Sequence, residues 1–324
     1  MRPRTWIILL TALAAATLAG LALGPVALSP AAVWHALFGA GDANAVAIVQ
    51  TLRLPRIALG IVIGAGLGVS GAALQATLRN PLAEPYLLGV SGGAAVGAVV
   101  AVTLHVASPA LLPIAAFAGA AAAVTLVLLV ARAAGARGDP RVLLMAGVVV
   151  GAFANAAVMV LLAGAPSETV RGALWWMMGS LGDATWDGTR WVAAYVVLGA
   201  VILLALGGEI ELLALGEDPA AALGVDVERA TRRVYLAASL LAAVTVAGAG
   251  LVGFVGLVVP AIVRALGARS VRSVMLGAAI AGGALVVAAD VVARTVRSPA
   301  ELPLGAVTAL IGVPFFLLRL RRMS

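Results

Sequence analysis

Ten long apolar runs constrain this chain more than any other feature. Each has about the length of 17–25 residues that a helix needs to cross a bilayer. In chain order they are 6–24, 56–78, 88–106, 112–131, 142–163, 191–208, 234–250, 252–267, 273–293 and 303–320. The seventh and eighth are separated only by "GAGLVGFVG", whose glycines predict a break or a tight turn. The sequence therefore predicts an all-α, polytopic membrane protein with about ten transmembrane helices, in one domain covering residues 1–324.

The composition supports a membrane protein and excludes several chemistries. The chain is 63% hydrophobic and 11% charged, whereas about 25% of a typical soluble domain is charged. It has no cysteine, so it offers no disulfide, no thiolate nucleophile and no cysteine-ligated metal. Its two histidines, His35 and His105, are too few for a histidine metal cluster. We therefore expect no catalytic residue, no metal site and no cofactor bound by this chain.

All 21 basic residues are arginines, and their positions predict the topology. With a cytoplasmic N-terminus, 15 of them lie on the inner side: Arg2, Arg4, Arg79, Arg132, Arg137, Arg141, Arg229, Arg232, Arg233, Arg264, Arg269, Arg272, Arg319, Arg321 and Arg322. Six lie on the outer side: Arg53, Arg56, Arg171, Arg190, Arg294 and Arg297. This bias follows the positive-inside rule, and an even number of spans places both termini in the cytoplasm. The net charge of +7 thus reflects topology rather than nucleic-acid binding.

The stretch "LRNPLAEPYLLG" (78–89) interrupts the apolar pattern after the second run. Pro81 and Pro85 prevent continuation of the helix, and we expect Arg79 and Glu84 to hold the turn at the water boundary. Two interpretations remain open. The stretch is either a connector whose polar groups are satisfied locally, or irregular backbone that lines a cavity at membrane depth.

Two further polar segments are long enough to carry function. On the inner side, Asp218 and Pro219 have the pattern of a helix N-cap and first turn, Gly224 ends that short helix, and a second short helix can begin at Asp226. Such helices suit a groove on another protein; a plain cytoplasmic loop is the alternative. On the outer side, the tryptophans of 164–191 form either an aromatic belt or a platform beneath a docked partner or ligand: Trp175, Trp176, Trp186 and Trp191.

The chain cannot bind ATP in a Walker A loop, because the sequence contains no such loop and no lysine. A secondary transporter or channel would instead need ionisable groups within the membrane. Asp290 is the one acidic residue well inside an apolar run, and Arg294 follows it at the i,i+4 spacing of a helical ion pair. We expect this pair to be structural.

The stretch at 78–89 and several other motifs together resemble the FecCD-type permeases, the membrane subunits of type II ABC importers for iron–siderophore, haem and cobalamin. The motifs are "LRLPRIALGIVIGAGLGVSGAALQATLRNPLAEPYLLGVSGGA", "WWMMGSLGDATW", "LLALGEDPAAALGVDVERATRR", "GFVGLVVPAIVR" and "DVVARTVRSPAELPLGAVTALIGVPFF". Two positions depart from the family pattern, since Ala261 replaces its usual His and Leu251 replaces a Pro. The resemblance implies import of an iron–siderophore or related metal chelate, with haem or cobalamin as alternatives.

The resemblance also implies partners, location and residue roles. The expected partners are a second permease copy, two ATPase subunits that bind ATP, a substrate-binding protein and membrane lipid, but no nucleic acid. The expected location is the bacterial inner membrane. The pathway constriction falls on Asn80, Pro81 and Leu82, and the docking face for the binding protein on Arg53, Arg56 and Arg294. Coupling to the ATPase falls on Glu217, Asp218, Pro219, Ala220, Ala221, Leu223 and Gly224.

Overall fold

The computed structural model describes residues 3–104, 111–135 and 139–320, and within those ranges the regular structure is entirely helical. The helices are α1 (Pro3–Ala22), α2 (Pro30–Leu37), α3 (Ala43–Ala47), α4 (Leu54–Thr77), α5 (Val90–Thr103), α6 (Leu111–Ala133), α7 (Pro140–Ala163), α8 (Ser167–Met178), α9 (Trp186–Ala205), α10 (Gly207–Leu213), α11 (Glu217–Ala222), α12 (Val227–Ala249), α13 (Val255–Ala265), α14 (Val271–Thr295) and α15 (Leu304–Leu320). A π-helical turn (Ile48–Arg53) joins α3 to α4, and a 3-10 turn (Pro85–Leu88) precedes α5. His105, Arg2, Arg137, Arg321 and Arg322 lie outside the described residues.

The predicted spans are confirmed in number and corrected at their ends. Within the described residues, seven helical stretches are long and apolar enough to cross a membrane, and three shorter apolar helices match the remaining runs. The second span begins earlier than predicted, because α3, the π-helical turn and α4 form one continuous stretch, Ala43–Thr77. The glycine-rich break is confirmed between Ala249 and Val255.

Helix α4 lies at the centre of the bundle and packs against α9, α12, α13 and α14. Its closest neighbour is α14, where small residues let the two backbones touch. A Cβ added to Gly64 would lie 2.1 Å from the carbonyl oxygen of Gly282, and one added to Gly282 would lie 2.1 Å from that of Gly64. Helices in lipid associate through such close packing, because hydrocarbon provides little hydrophobic force between them.

Helices α7 and α9 form the periphery of the bundle. Large apolar side chains on them are exposed, among them Phe153, Val160, Val197 and Val201. Exposed apolar surface along a membrane helix is solvated by lipid tails, whereas the helix satisfies its own backbone hydrogen bonds. These peripheral helices therefore offer apolar surface to their surroundings, whereas α4 is enclosed by its neighbours.

Contacts at the two ends of the bundle agree with the sidedness read from the arginines. At the inner end, the Thr5 hydroxyl donates to the Leu266 carbonyl (2.8 Å), and Arg79 pairs with Glu217 (3.3 Å). At the outer end, Arg294 donates to the carbonyl of Gly20 (2.6 Å). Residues assigned to one side of the membrane thus contact one another across long sequence distances.

Candidate transport site

The stretch after α4 forms a tight turn, here called the inner turn (residues 79–83). Arg79 adopts a positive φ of 49°, which is uncommon for a residue other than glycine. The Asn80 carbonyl accepts the N–H of Ala83 (3.0 Å), and the Asn80 side chain accepts the N–H of Leu82 (2.9 Å). Pro81 and Leu82 are exposed at its tip, Leu82 by 43%. The helix stop predicted from the prolines is confirmed, since α4 ends at Thr77.

The second half of the same stretch is buried, against expectation for Glu84. The Glu84 carboxylate accepts the N–H of Phe254 (2.6 Å), and the Tyr86 hydroxyl accepts the N–H of Val252 (3.1 Å). Farther on, Tyr235 of α12 donates to the Leu88 carbonyl (3.3 Å). Only Arg79 lies at the water boundary as predicted; Glu84 is removed from water because it binds the backbone between α12 and α13.

These contacts place irregular backbone inside the bundle. Residues 84–88 follow the inward end of α4, whereas residues 250–254 follow the outward end of α12. One segment starts from the inner side and the other from the outer side. Because they touch, both must extend into the thickness of the bundle. The start of α15 joins them, since Leu304 donates to the Gly179 carbonyl (3.1 Å) and Ser180 to that of Ala249 (2.9 Å). Non-helical backbone at this depth is tolerated where it is buried in protein or lines a cavity.

The 217–224 segment forms the predicted short helix, with a different start. Helix α11 begins at Glu217 with Gly216 at its N-cap, so Asp218 lies in its first turn instead of capping it. Gly224 ends it with a φ of 86°, as predicted. Its residues Glu217, Asp218, Pro219, Ala221, Leu223 and Gly224 are exposed, whereas Ala220 is buried. The segment thus presents most of its surface to the cytoplasm.

The second short helix predicted at Asp226 is wrong. Asp226 caps the N–H of Arg229 (3.0 Å), but the helix that follows is α12 itself, which continues for 23 residues. Arg229, Arg232 and Arg233 therefore lie in the first turns of the helix that forms the seventh span. The polar composition of these turns concealed that they belong to the same helix as the apolar run. Hydropathy marks only the part of a helix in lipid and not the part that projects beyond it.

The inner turn and the 217–224 segment, 138 residues apart in sequence, meet in the structure. Arg79 donates to Glu217 (3.3 Å), and both side chains are nearly half exposed. Exposed ion pairs contribute little stability. The contact therefore brings two predicted sites together without fixing them rigidly.

The three outer arginines do not form the exposed docking face that the sequence predicted. Arg53 is 4% exposed and donates to the carbonyls of Leu21 and Ala22 at the end of α1 and to that of Val26 beyond it. Arg294 is 3% exposed, and the Arg56 side chain is also largely buried. In this structure the three side chains bind acceptors within the chain, and their role in docking a binding protein stays a prediction.

Arg56, Asp290, Arg294 and Glu301 form one buried network, here called the outer ion cluster. Arg56 binds both Asp290 and Glu301 at 2.7 Å, and the predicted Asp290–Arg294 pair is present at 3.4 Å. Arg56 is thus the principal partner of Asp290. The hydrogen bonds from Arg56 lower the pKa of Glu301, which lies in the loop after α14. The stabilisation from Glu301 is consequently lost only when pH falls through that lowered pKa, below its ordinary range.

The tryptophans of the outer segment remain compatible with both interpretations. Trp175, Trp186 and Trp191 are exposed, as a belt or a platform would require, and Trp186 donates to the Gln50 carbonyl (3.1 Å). Within the described part of the chain, no group of three or more His, Asp or Glu side chains lies close enough to hold a metal ion. His35 is exposed at the end of α2.

A bundle of membrane helices with interrupted, buried backbone between helix ends is an architecture of membrane transport proteins. The chain is a polytopic helical permease of this class. It belongs to the FecCD transport family, whose model matches residues 11–322, and it is accordingly a permease of the ABC importer type in the cell membrane.

Individual relatives agree with that assignment. The chain is 44% identical to the cobalamin import system permease protein BtuC of Halobacterium salinarum, over 85% of this chain and 73% of that protein. It is 38% identical to the hemin transport system permease protein HmuU of Yersinia pestis, over 88% and 84%. A solved inward-facing transporter, assigned to the metal-chelate type of ABC transporter, matches with a TM-score of 0.89, 28% identity and coverage of 99% and 100%.

Proposed function

We propose that this chain is the permease subunit of an ATP-driven importer and passes an intact metal chelate from a binding protein outside the membrane to the cytoplasm. The observation that carries the proposal is the contact between the inner turn and the 217–224 segment through Arg79 and Glu217. It places the exposed α11, on which an ATPase would dock, directly beside the turn that ends α4. The ATPase subunits, a second permease copy and the binding protein are the partners that the family resemblance implies.

Within this proposal, Asn80, Pro81 and Leu82 form the inner constriction of the pathway. The turn is held on one side by α4 and on the other by Glu84 and Tyr86, which bind the backbone at residues 252–254. A turn anchored at both ends moves as a unit when its anchors move. The exposed Leu82 supplies an apolar tip that would seal against the same tip of a second copy.

The chelate is proposed from chemistry and from the relatives. The sequence resemblance favours an iron–siderophore or related chelate. Of the two relatives named above, the cobalamin permease shares more residues with this chain than the hemin permease, 44% against 38%. Cobalamin is for this reason the first substrate to test, followed by haem and iron–siderophores.

The outer ion cluster argues against a proton-driven secondary transporter. A proton-coupling carboxylate must exchange its proton during the cycle, whereas Asp290 is bound by two guanidinium groups in a buried site. Asp290 is better suited to fixing α4 against α14 than to carrying protons.

One experiment separates these functions. The chain is expressed with an ATPase subunit of an importer of this family and reconstituted in vesicles, and uptake of labelled cobalamin, haem and iron–siderophore is measured with a binding protein for each chelate. We expect uptake of one chelate that requires ATP and persists when the proton gradient is collapsed. Uptake that follows the proton gradient without ATP would contradict the proposal.

A further inference from the structure

A cavity of about 440 Å³ opens at the inner end of the bundle, among the ends of α4, α10, α13 and α14. Its floor is made by the buried residues Ala72, Gln75 and Val274. Its walls and rim carry charge, from Arg79, Arg264, Arg269 and Glu211. The proposed transport of a chelate gives roles to Arg79 and Pro81 in its wall, but assigns no ligand to the cavity itself.

The charges of the cavity favour an anion. Three guanidinium groups line it against one carboxylate. The carboxylate of Glu211 is already committed, because it accepts the N–H of Val271 at the start of α14 (2.8 Å). A helix N-terminus stabilises negative charge in this position. Arginine side chains thus outnumber carboxylates in the lining, and one of these arginines, Arg79, is paired with Glu217.

Hydrogen bonds orient one of the arginines that line the cavity. Arg264 donates to the buried amide oxygen of Gln75 (2.7 Å), and the amide nitrogen of Gln75 donates to the carbonyls of Gly256 (3.2 Å) and Leu257 (3.1 Å). This chain of bonds orients the Arg264 guanidinium from beneath. Arg269 is exposed at the rim, and among the described residues no acidic group lies within ion-pair distance of it.

From this geometry we propose that the cavity binds a phosphate group, presented either by an anionic phospholipid headgroup or as free inorganic phosphate. Guanidinium groups match phosphate oxygens with paired N–H donors, which an ammonium group cannot do. Basic pockets between transmembrane helices on the cytoplasmic side are established sites for anionic headgroups. A bound phosphate contacts Arg264 and Arg269 and draws Arg79 away from Glu217.

The position of the cavity gives binding a consequence for coupling. Its wall includes Arg79 and Pro81 of the inner turn and Ala214, which precedes the 217–224 segment. An anion there competes with Glu217 for Arg79, and so loosens the contact between the two elements. This consequence rests on the proposed function, whereas binding itself does not and is measured separately.

The binding test uses the full chain, purified and exchanged into micelles that contain equal amounts of phosphatidylglycerol and phosphatidylcholine. Native mass spectrometry then counts the lipids retained and gives their apparent dissociation constants. We expect phosphatidylglycerol to be retained preferentially. Arg269→Gln should weaken its binding about tenfold, the factor that corresponds to about 1.4 kcal/mol. Glu211→Gln should strengthen it several-fold, because the substitution removes the competing negative charge while the amide oxygen still accepts from Val271.

The matched control is Arg229→Gln, on the same face of the protein. Arg229 is exposed and pairs with Asp226, and it does not line the cavity. This variant should bind phosphatidylglycerol as the parent chain does. A general effect of surface charge predicts equal losses for Arg229→Gln and Arg269→Gln; that outcome overturns the site.

Inorganic phosphate distinguishes the two sources of the ligand. If the site accepts free phosphate, added phosphate displaces the bound phosphatidylglycerol and raises the unfolding temperature of the chain in phosphatidylcholine nanodiscs. If the site requires a headgroup, phosphate does neither and the lipid remains bound. Equal retention of the two lipids, with no effect of phosphate, refutes the proposal and leaves an acidic segment of a partner subunit as the occupant to test.

Discussion

Charged residues serve different purposes at the two ends of this bundle. In the outer ion cluster, Arg56 binds Asp290 and Glu301 at 2.7 Å in a largely buried site. At the inner end, Arg79–Glu217 and Arg233–Glu209 are single pairs at 3.3 Å with exposed arginines. Ion pairs that are close, shared and shielded from water hold helices in a fixed relation, whereas exposed pairs exchange readily with solvent.

The difference indicates which end of the protein is rigid. The outer cluster joins α4, α14 and the loop after α14, and Arg294 and Arg53 add hydrogen bonds to the end of α1. The inner end has no comparable network among the described residues; its charges lie on the inner turn, on α11 and around the cavity. The outer end is thus built to resist movement, and the inner end keeps its charged groups available for partners and ligands.

The largest effect is expected for Arg56→Gln. Removing one member of a buried ion network leaves uncompensated charge, which costs about 3–5 kcal/mol of unfolding free energy. The same change at the inner end, Arg79→Gln, should cost at most about 1 kcal/mol, because that pair is exposed. Denaturant unfolding of both variants in the same detergent measures the contrast. Equal losses of unfolding free energy in the two variants would contradict the difference between the outer and inner ion pairs.

A smaller loss of unfolding free energy is expected for Glu84→Leu, a residue that lies between the two ends of the bundle. The substitution leaves the buried N–H of Phe254 without its acceptor, at a cost of about 1–3 kcal/mol. Glu84→Gln is the control, because an amide oxygen can still accept that N–H. Unfolding free energies of the two variants should differ by most of this amount. If both variants are equally stable, the bond between Glu84 and Phe254 does not anchor the inner turn.

Gly224→Val should separate transport from stability. Left-handed backbone costs a residue with a side chain about 1–2 kcal/mol, and the φ of Gly224 is 86° with no neighbouring atom within 4 Å. The strain therefore falls on the exposed end of α11 and not on the bundle. We expect normal insertion with loss of ATP-driven uptake, whereas Gly224→Asn, which tolerates this conformation, should retain uptake. Full uptake by the Val variant would contradict a coupling role for this segment.

Leu82→Ala should have the smallest effect on stability, because the side chain is already partly exposed. If Leu82 seals the pathway, the variant leaks substrate in reconstituted vesicles or hydrolyses ATP without transport. Leu52→Ala, an exposed leucine near the outer end of α4, serves as the matched control and should do neither. Unchanged leak and unchanged ATPase activity in Leu82→Ala would assign the seal to another residue.

Several sequence predictions failed for a common physical reason. The sequence assigned Arg53, Arg56 and Arg294 to the outer side of the membrane, and the contacts in the structure agree with that assignment. Their burial depends on carbonyl and carboxylate partners up to 274 residues away along the chain, which no local pattern reveals. Glu84 was wrongly placed at the water boundary, and Tyr86 was given no role, for the same reason: both accept backbone N–H groups of residues 252–254 only after the helices assemble. The only local sign was an acidic and an aromatic residue beside a proline.

The sequence by itself determined the membrane class, the ten apolar helices, the sidedness of the arginines, the helix stop at Thr77 and the end of α11 at Gly224. Each depends on neighbours within one helix or turn: apolar length, proline geometry, or the freedom of glycine at positive φ. Tertiary structure alone decided that Asp226 begins a full span, that Arg56 is the main partner of Asp290, and that the inner turn meets the 217–224 segment. Those outcomes depend on which surfaces become buried together, because burial decides whether a charge faces water or an ion partner.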